Sequence, residues 1–173
     1  MSNLRLIKKV DGTGATSLSI TDVFNADFDI YKIEYFCVND SGSPKGTSLR
    51  LINSSGSVIS SSLYDRAIHQ LNTNVNFSET YSMNADNATD AFGNVRVVPE
   101  GASGVMWVFN PYSTSAFTTI IQTGFMNWNA SRAGTDSVFC LKELTSVAGF
   151  QAYLPSTNLT TDTYFRVYGL AIK

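Results

Sequence analysis

The side chains in this sequence that could do chemistry are few, and most are carboxylates in two small groups. Asp22, Asp27 and Asp29 form one group, and Asp86 and Asp90 bracket Asn87-Ala88-Thr89 to form the other. Two carboxylates held about 5 to 10 Å apart can hydrolyse a glycosidic bond. The 86–90 segment could instead offer oxygen ligands to calcium, although it lacks the EF-hand pattern. The ordinary role of such residues is to cap their own backbone in turns, and both groups fit it. His69 is the single histidine. With no His or Cys at a ligand spacing it signals no metal site, and it reads as a hydrogen-bonded structural residue. Serine is so abundant that a Ser-His-Asp arrangement leaves no trace in the sequence. There is no Gly-rich phosphate loop, nucleophile elbow or paired metal-ligand spacing. The expectation is a protein that is not an enzyme, with no catalytic residue, no metal and no cofactor.

Binding is the chemistry that remains. Aromatic faces pack on sugar rings and exclude water, which singles out Trp107, Trp128, Tyr112 and Tyr153. Trp107 sits in an apolar run and reads as core. Trp128 stands where a strand gives way to Asn127, Asn129 and Ser131, and reads as a half-exposed ligand or interface anchor. Together with Tyr112, Asp86 and Asp90 it makes up the candidate ligand or interface residues. The six Asn-x-Ser/Thr triplets, at Asn39, Asn53, Asn76, Asn87, Asn129 and Asn158, arise by chance in so Asn- and Ser-rich a chain.

The elements that must position these residues are strands. Charged residues make up 15% of the 173, against about 25% in an average soluble domain, while 43% are hydrophobic. Ser, Thr, Asn and Gly fill the difference, which suits sheets and turns better than helix surfaces. From Phe28 to Val38 the odd positions Tyr31, Ile33, Tyr35 and Cys37 form one apolar face. Leu49 and Leu51 alternate around Arg50, and Ser54-Ser55-Gly56 reads as a hairpin turn into Val58-Ile59. Further strands are predicted over 94–98, 104–109, 116–127, 137–144, 149–154 and 164–172, with loops over 39–46, 84–94 and 129–135. The run 104–109 is apolar on both faces, as in a central strand. Ser62 to Leu71 predicts one or two helical turns, because Ser62 and Asp65 resemble a capping box and Leu63, Ala67 and Leu71 recur every four residues. The fold class that follows is all-β: an antiparallel β-sandwich, jelly-roll-like, of eight to ten strands with at most one short helix. No linker or repeat divides residues 1–173, which read as one domain with 1–15 as an extended arm.

A formal charge of −2, with 12 Lys and Arg scattered along the chain, argues against a nucleic-acid partner. Cys37 and Cys140 lie in apolar runs and read as two buried core thiols. The apolar stretch within Met1 to Ile7, followed by Lys8-Lys9, is too short and wrongly flanked for a signal peptide, and no run approaches a membrane span, so the expectation is synthesis in a cytoplasm and no membrane partner.

The end of the chain carries the most specific pattern. Ser146-Val147-Ala148-Gly149-Phe150-Gln151-Ala152-Tyr153-Leu154-Pro155 precedes Asn158-Leu159-Thr160, and Tyr164-Phe165-Arg166-Val167-Tyr168-Gly169-Leu170 closes the sequence ahead of Ala171-Ile172-Lys173. This resembles a family of tailed-phage virion proteins, frequent among phages of marine bacteria, that end in a strand of the Arg-Val-Tyr-Gly-Leu type. Ile20-Thr21-Asp22-Val23-Phe24, the strand Tyr31-Lys32-Ile33, Leu49-Arg50-Leu51 and Gly56 extend the similarity upstream. Thr161-Asp162-Thr163 stands where the family often has Ser-Gly, and an Ala-Ile tail follows Leu170. The resemblance implies a jelly-roll-like protein of the virion, made in the host cytoplasm, that decorates or cements the capsid or forms part of an appendage. It implies the major capsid protein or other virion proteins as partners and a homo-oligomer, trimer favoured, with Phe92, Phe117 or Phe125 covered by a neighbour. The alternative is a tail-fibre or receptor-binding module that recognises a host surface glycan.

Overall fold

In the computed structural model, which describes residues 3–74, 77–128 and 131–171, alternation decides the architecture. Tyr31, Ile33, Tyr35 and Cys37 are all buried, on one face of strand β3 (Ile30–Cys37). Before β3 come β1 (Leu4–Asp11) and β2 (Ser17–Ile20). After it come β4 (Lys45–Gly46), β5 (Ser48–Asn53), β6 (Tyr64–Asn72), β7 (Ser78–Ala85) and β8 (Asn94–Val95). The chain continues through β9 (Ala102–Phe109), β10 (Thr118–Trp128), β11 (Ser131–Leu141), β12 (Val147–Tyr153) and β13 (Tyr164–Leu170).

An eight-stranded antiparallel sheet runs β1-β13-β3-β9-β10-β11-β6-β7. A three-stranded sheet, β2-β12-β5, lies against its inner face, and β4 pairs with β8. The inward residues of the two layers form one core, as in a jelly-roll-like sandwich. Phe165 of the large sheet meets Phe150 of the small one with ring centroids 5.6 Å apart, and Phe92 at 5.2 Å, both edge to face. Tyr64 ties the layers by hydrogen bonds, accepting from Leu51 N and donating to Ile59 O, each at 2.9 Å. Tyr35 spans three strands. Gly104 and Gly124 face each other across β9 and β10, and a Cβ on either would lie within 2.6 Å of the Tyr35 hydroxyl. The glycines leave room for the phenol, which accepts a hydrogen bond from Gln122 Nε2 at 2.8 Å.

Several expectations change. The segment from Ser62 to Leu71 contains no helix; from Tyr64 onward it is strand β6, paired to β11 and β7. A spacing of four also returns to the same side of a strand, whose period is two. Thirteen strands form among the described residues, against eight to ten expected. The surplus comes from β1, β2, the two-residue β4, β6 and β7, of which Ser78–Ala85 has little apolar alternation. Ser131–Thr135, expected in a loop, opens β11. Leu4–Asp11, read as part of an arm, is the edge strand paired with β13. Phe92, expected under a neighbouring subunit, is fully buried in the core.

Candidate functional site

Two outer faces of the sandwich differ sharply. On the small sheet the outward side chains are polar: Gln151 donates to Ser19 Oγ at 3.2 Å, and Arg50 lies over the Tyr153 ring at 4.7 Å. On the β13–β3 half of the large sheet, charges pair with one another, as in Lys32–Glu34 at 2.7 Å. The other half of that sheet, from β9 to β7, turns apolar side chains outward.

Pairing register builds this patch. Trp107 lies opposite Ile121, Ile121 opposite Val138, Val138 opposite Ala67, and Ala67 opposite Tyr81. These five positions make an apolar ribbon that crosses five strands at right angles to them, because residues directly opposite share a face. Tyr81 is 80% exposed, Val138 53% and Ile121 49%. Met83, Leu71 and Phe125 extend the patch. Two shallow hollows lie along it. One of about 550 Å³ is lined by Ala67, Ile121, Val138 and Tyr81 among others, and one of about 420 Å³ by Met83, Thr119, Cys140 and their neighbours. A second, polar row runs alongside in register: Thr123, Asp136, His69 and Glu79. Thr123 Oγ1 donates to Asp136 at 2.8 Å.

The edges of the large sheet also differ. β1 carries Arg5, Lys8 and Lys9, charges that discourage another strand from adding to an edge. β7 has no Lys, Arg or Pro, and most of its residues are exposed. The apolar ribbon therefore ends at the edge strand β7, whose one charged side chain is Glu79.

The residues singled out in the sequence fall elsewhere. Asp86 is held by Arg50 at 2.9 Å. Asp90 lies 3.7 Å from Arg66, and burial raises its carboxyl pKa against the opposing effect of that guanidinium. Each carboxylate thus has its own arginine. Tyr112 lines a different, smaller cleft beside Asn25 and Asp29. Trp128 ends β10, and its side chain lies outside the described residues, as does Asn129. Trp107 is half-buried on the outer face and not in the core. His69 is exposed and stacks on Phe77 with centroids 5.2 Å apart; among the described residues its ring has no hydrogen-bond partner, where one was expected. Ile121, Val138 and Tyr81 carry no signal in the sequence alone, since no single strand shows that its outward residues line up with those of the next.

Of the two thiols expected in the core, Cys37 is there and Cys140 is half-buried on the ribbon face. Burial raises both thiol pKa values, and at Cys140 Asp65 adds to the rise while Lys142 opposes it. A maleimide is expected to modify Cys140 and spare Cys37 in the folded chain, faster as pH rises, because the thiolate is the nucleophile. Peptide mass spectrometry reads this out. Equal labelling of both thiols would mean that the sandwich opens faster than the reagent reacts.

Fold and surface together define an antiparallel β-sandwich that carries an apolar patch on one outer sheet face. Comparisons with protein families, curated proteins and solved structures give no match to this chain.

Proposed function

We propose that the chain is a structural protein of a tailed-phage virion, docked on the major capsid protein or another virion protein through the ribbon from Trp107 to Tyr81. One observation carries the docking: five in-register positions on neighbouring strands of the large sheet place apolar side chains outward, with Tyr81, Val138 and Ile121 about half exposed or more. Monomeric proteins rarely leave a contiguous apolar patch of this kind uncovered. Glu79 and Asp136 run beside it, so the complementary surface combines apolar side chains with Lys or Arg. The virion setting rests on the resemblance of the closing strand from Tyr164 to Leu170. Closed self-association, threefold in that setting, would bury the same face.

Quantitative mass spectrometry of purified particles tests this reading. A copy number comparable to that of the major capsid protein would fit a cement or decoration protein on the lattice. A few copies per particle would fit a tail or vertex appendage. Particles without the protein would overturn the virion assignment.

A further inference from the structure

The cleft at one end of the large sheet is separate from the ribbon and has a different character. Its volume is about 230 Å³, and Asn25, Phe28, Asp29, Asn110, Tyr112 and Ser113 provide most of its lining. The walls are the segment that leads into β3 and the turn that follows β9. Both are fixed by hydrogen bonds before any ligand arrives. Tyr31 Oη accepts from Asn25 N and donates to Asn25 O, both at 2.8 Å. Asn110 N donates to Asp29 O at 2.8 Å, joining the two walls. Beyond the turn, Val147 N donates to Pro111 O at 2.7 Å and Ser146 Oγ to Tyr112 O at 3.1 Å.

Against this fixed frame, three side chains keep their bonding capacity open. The Asp29 carboxylate, the Asn110 amide and the Tyr112 hydroxyl have no hydrogen-bond partner among the described residues. We propose that this cleft is a saccharide subsite, sized for one sugar ring. Adjacent sugar hydroxyls each donate and accept; a carboxylate accepts twice, and an amide does both. The Tyr112 and Phe28 rings supply the apolar surface on which the C–H face of a pyranose packs. No Lys or Arg lines the cleft, so an anionic ligand would meet Asp29 without compensation. The volume lies below the roughly 300 to 1,000 Å³ of sites for drug-sized ligands. The lining holds one carboxylate where glycoside hydrolysis uses two, so recognition is the role assigned. Preformed walls lower the ordering cost of binding.

The test is an amide chemical-shift titration of the isotope-labelled full chain with free glucose, galactose, mannose, rhamnose and N-acetylglucosamine. Each is taken to ~10 mM, above the Kd of ~1 mM that a single-ring site implies. At least one sugar is expected to shift amides within 25–29 and 110–113, with Tyr112→Ala and Asp29→Ala each weakening the response at least tenfold. Tyr112→Phe, which keeps the ring, should retain part of it. The dispersion of each variant's spectrum reports that it has folded. Val138→Asp, on the ribbon, must leave the sugar response unchanged, so failure of this site and failure of the docking reading are told apart. No shift at these amides with any of the sugars, or an undiminished response in both alanine variants, would overturn the proposal. So would a matching response to calcium chloride alone, which would reassign the cleft to a cation.

Discussion

Phe165→Ala is expected to lower the unfolding free energy by about 3 to 5 kcal/mol, the usual cost of emptying an aromatic site in a core. The upper half of that range applies for a geometric reason. Phe165 is fully buried and touches rings from both layers: Phe150 of the small sheet at 5.6 Å, Phe92 at 5.2 Å and Tyr35 of β3 at 6.5 Å. These neighbours cannot close the gap easily. Tyr35 is held by Gln122 and fitted over two glycines, and Phe150 lies in the middle strand of its sheet. At about 2 to 4 °C per kcal/mol for a chain of this size, the melting temperature should fall by roughly 8 to 20 °C. Urea unfolding checks it: the midpoint should drop while the m-value holds. A loss below about 1 kcal/mol would mean that the two sheets do not press on each other through this ring.

What could be read in the sequence follows from where its information is local. The alternation of Tyr31, Ile33, Tyr35 and Cys37 needs only eleven residues to be seen, and all four are buried as it predicts. The two apolar faces of 104–109 also predicted a central strand correctly, since β9 lies between β3 and β10. The turn at Ser54-Ser55-Gly56 holds, with Gly56 at φ 83° and Ile52 bridged to Val58. Failure begins where an apolar residue points outward. In β6, Ala67 and Leu71 face solvent while Tyr64 and Ile68 face the core, so the outward residues at a spacing of four read as a helical stripe. In β11 the pattern is inverted further. Ser131, Thr135 and Ser137 are buried while Val138 is exposed. Burial of these hydroxyls is tolerable partly because Gln122 Nε2 donates to Thr135 Oγ1 at 3.0 Å, a contact between strands that neither strand announces alone. The ribbon and the Tyr112 cleft share this property. Each depends on a junction between segments far apart in the chain, β6 with β11 in the ribbon and the segments around Asp29 and Asn110 in the cleft, so neither is visible residue by residue.

Val138→Asp is expected to abolish docking while leaving the fold in place. The side chain sits at the middle of the ribbon, between Ile121 and Ala67, and two residues from Asp136 on the same strand face. In the free chain it is 53% exposed, so the new carboxylate stays hydrated and the cost to folding is the strand preference of Asp, up to ~1 kcal/mol. Covered by a partner, the same carboxylate loses its water beside an existing negative charge and gains no cation of its own. An uncompensated buried charge costs several kcal/mol, and central apolar positions of an interface are where losses of 2 kcal/mol or more concentrate. That corresponds to binding weakened about thirtyfold or more. The measurement pairs urea unfolding with incorporation of the variant into particles and, for self-association, sedimentation velocity. Gln151→Asp, on the polar outer face of the small sheet, is the control and should assemble as the unaltered chain does. Stability retained with assembly lost is the pattern a contact face produces. Assembly at the unaltered level would remove the ribbon from the docking surface, and loss of stability with assembly would show that Val138 serves the fold instead.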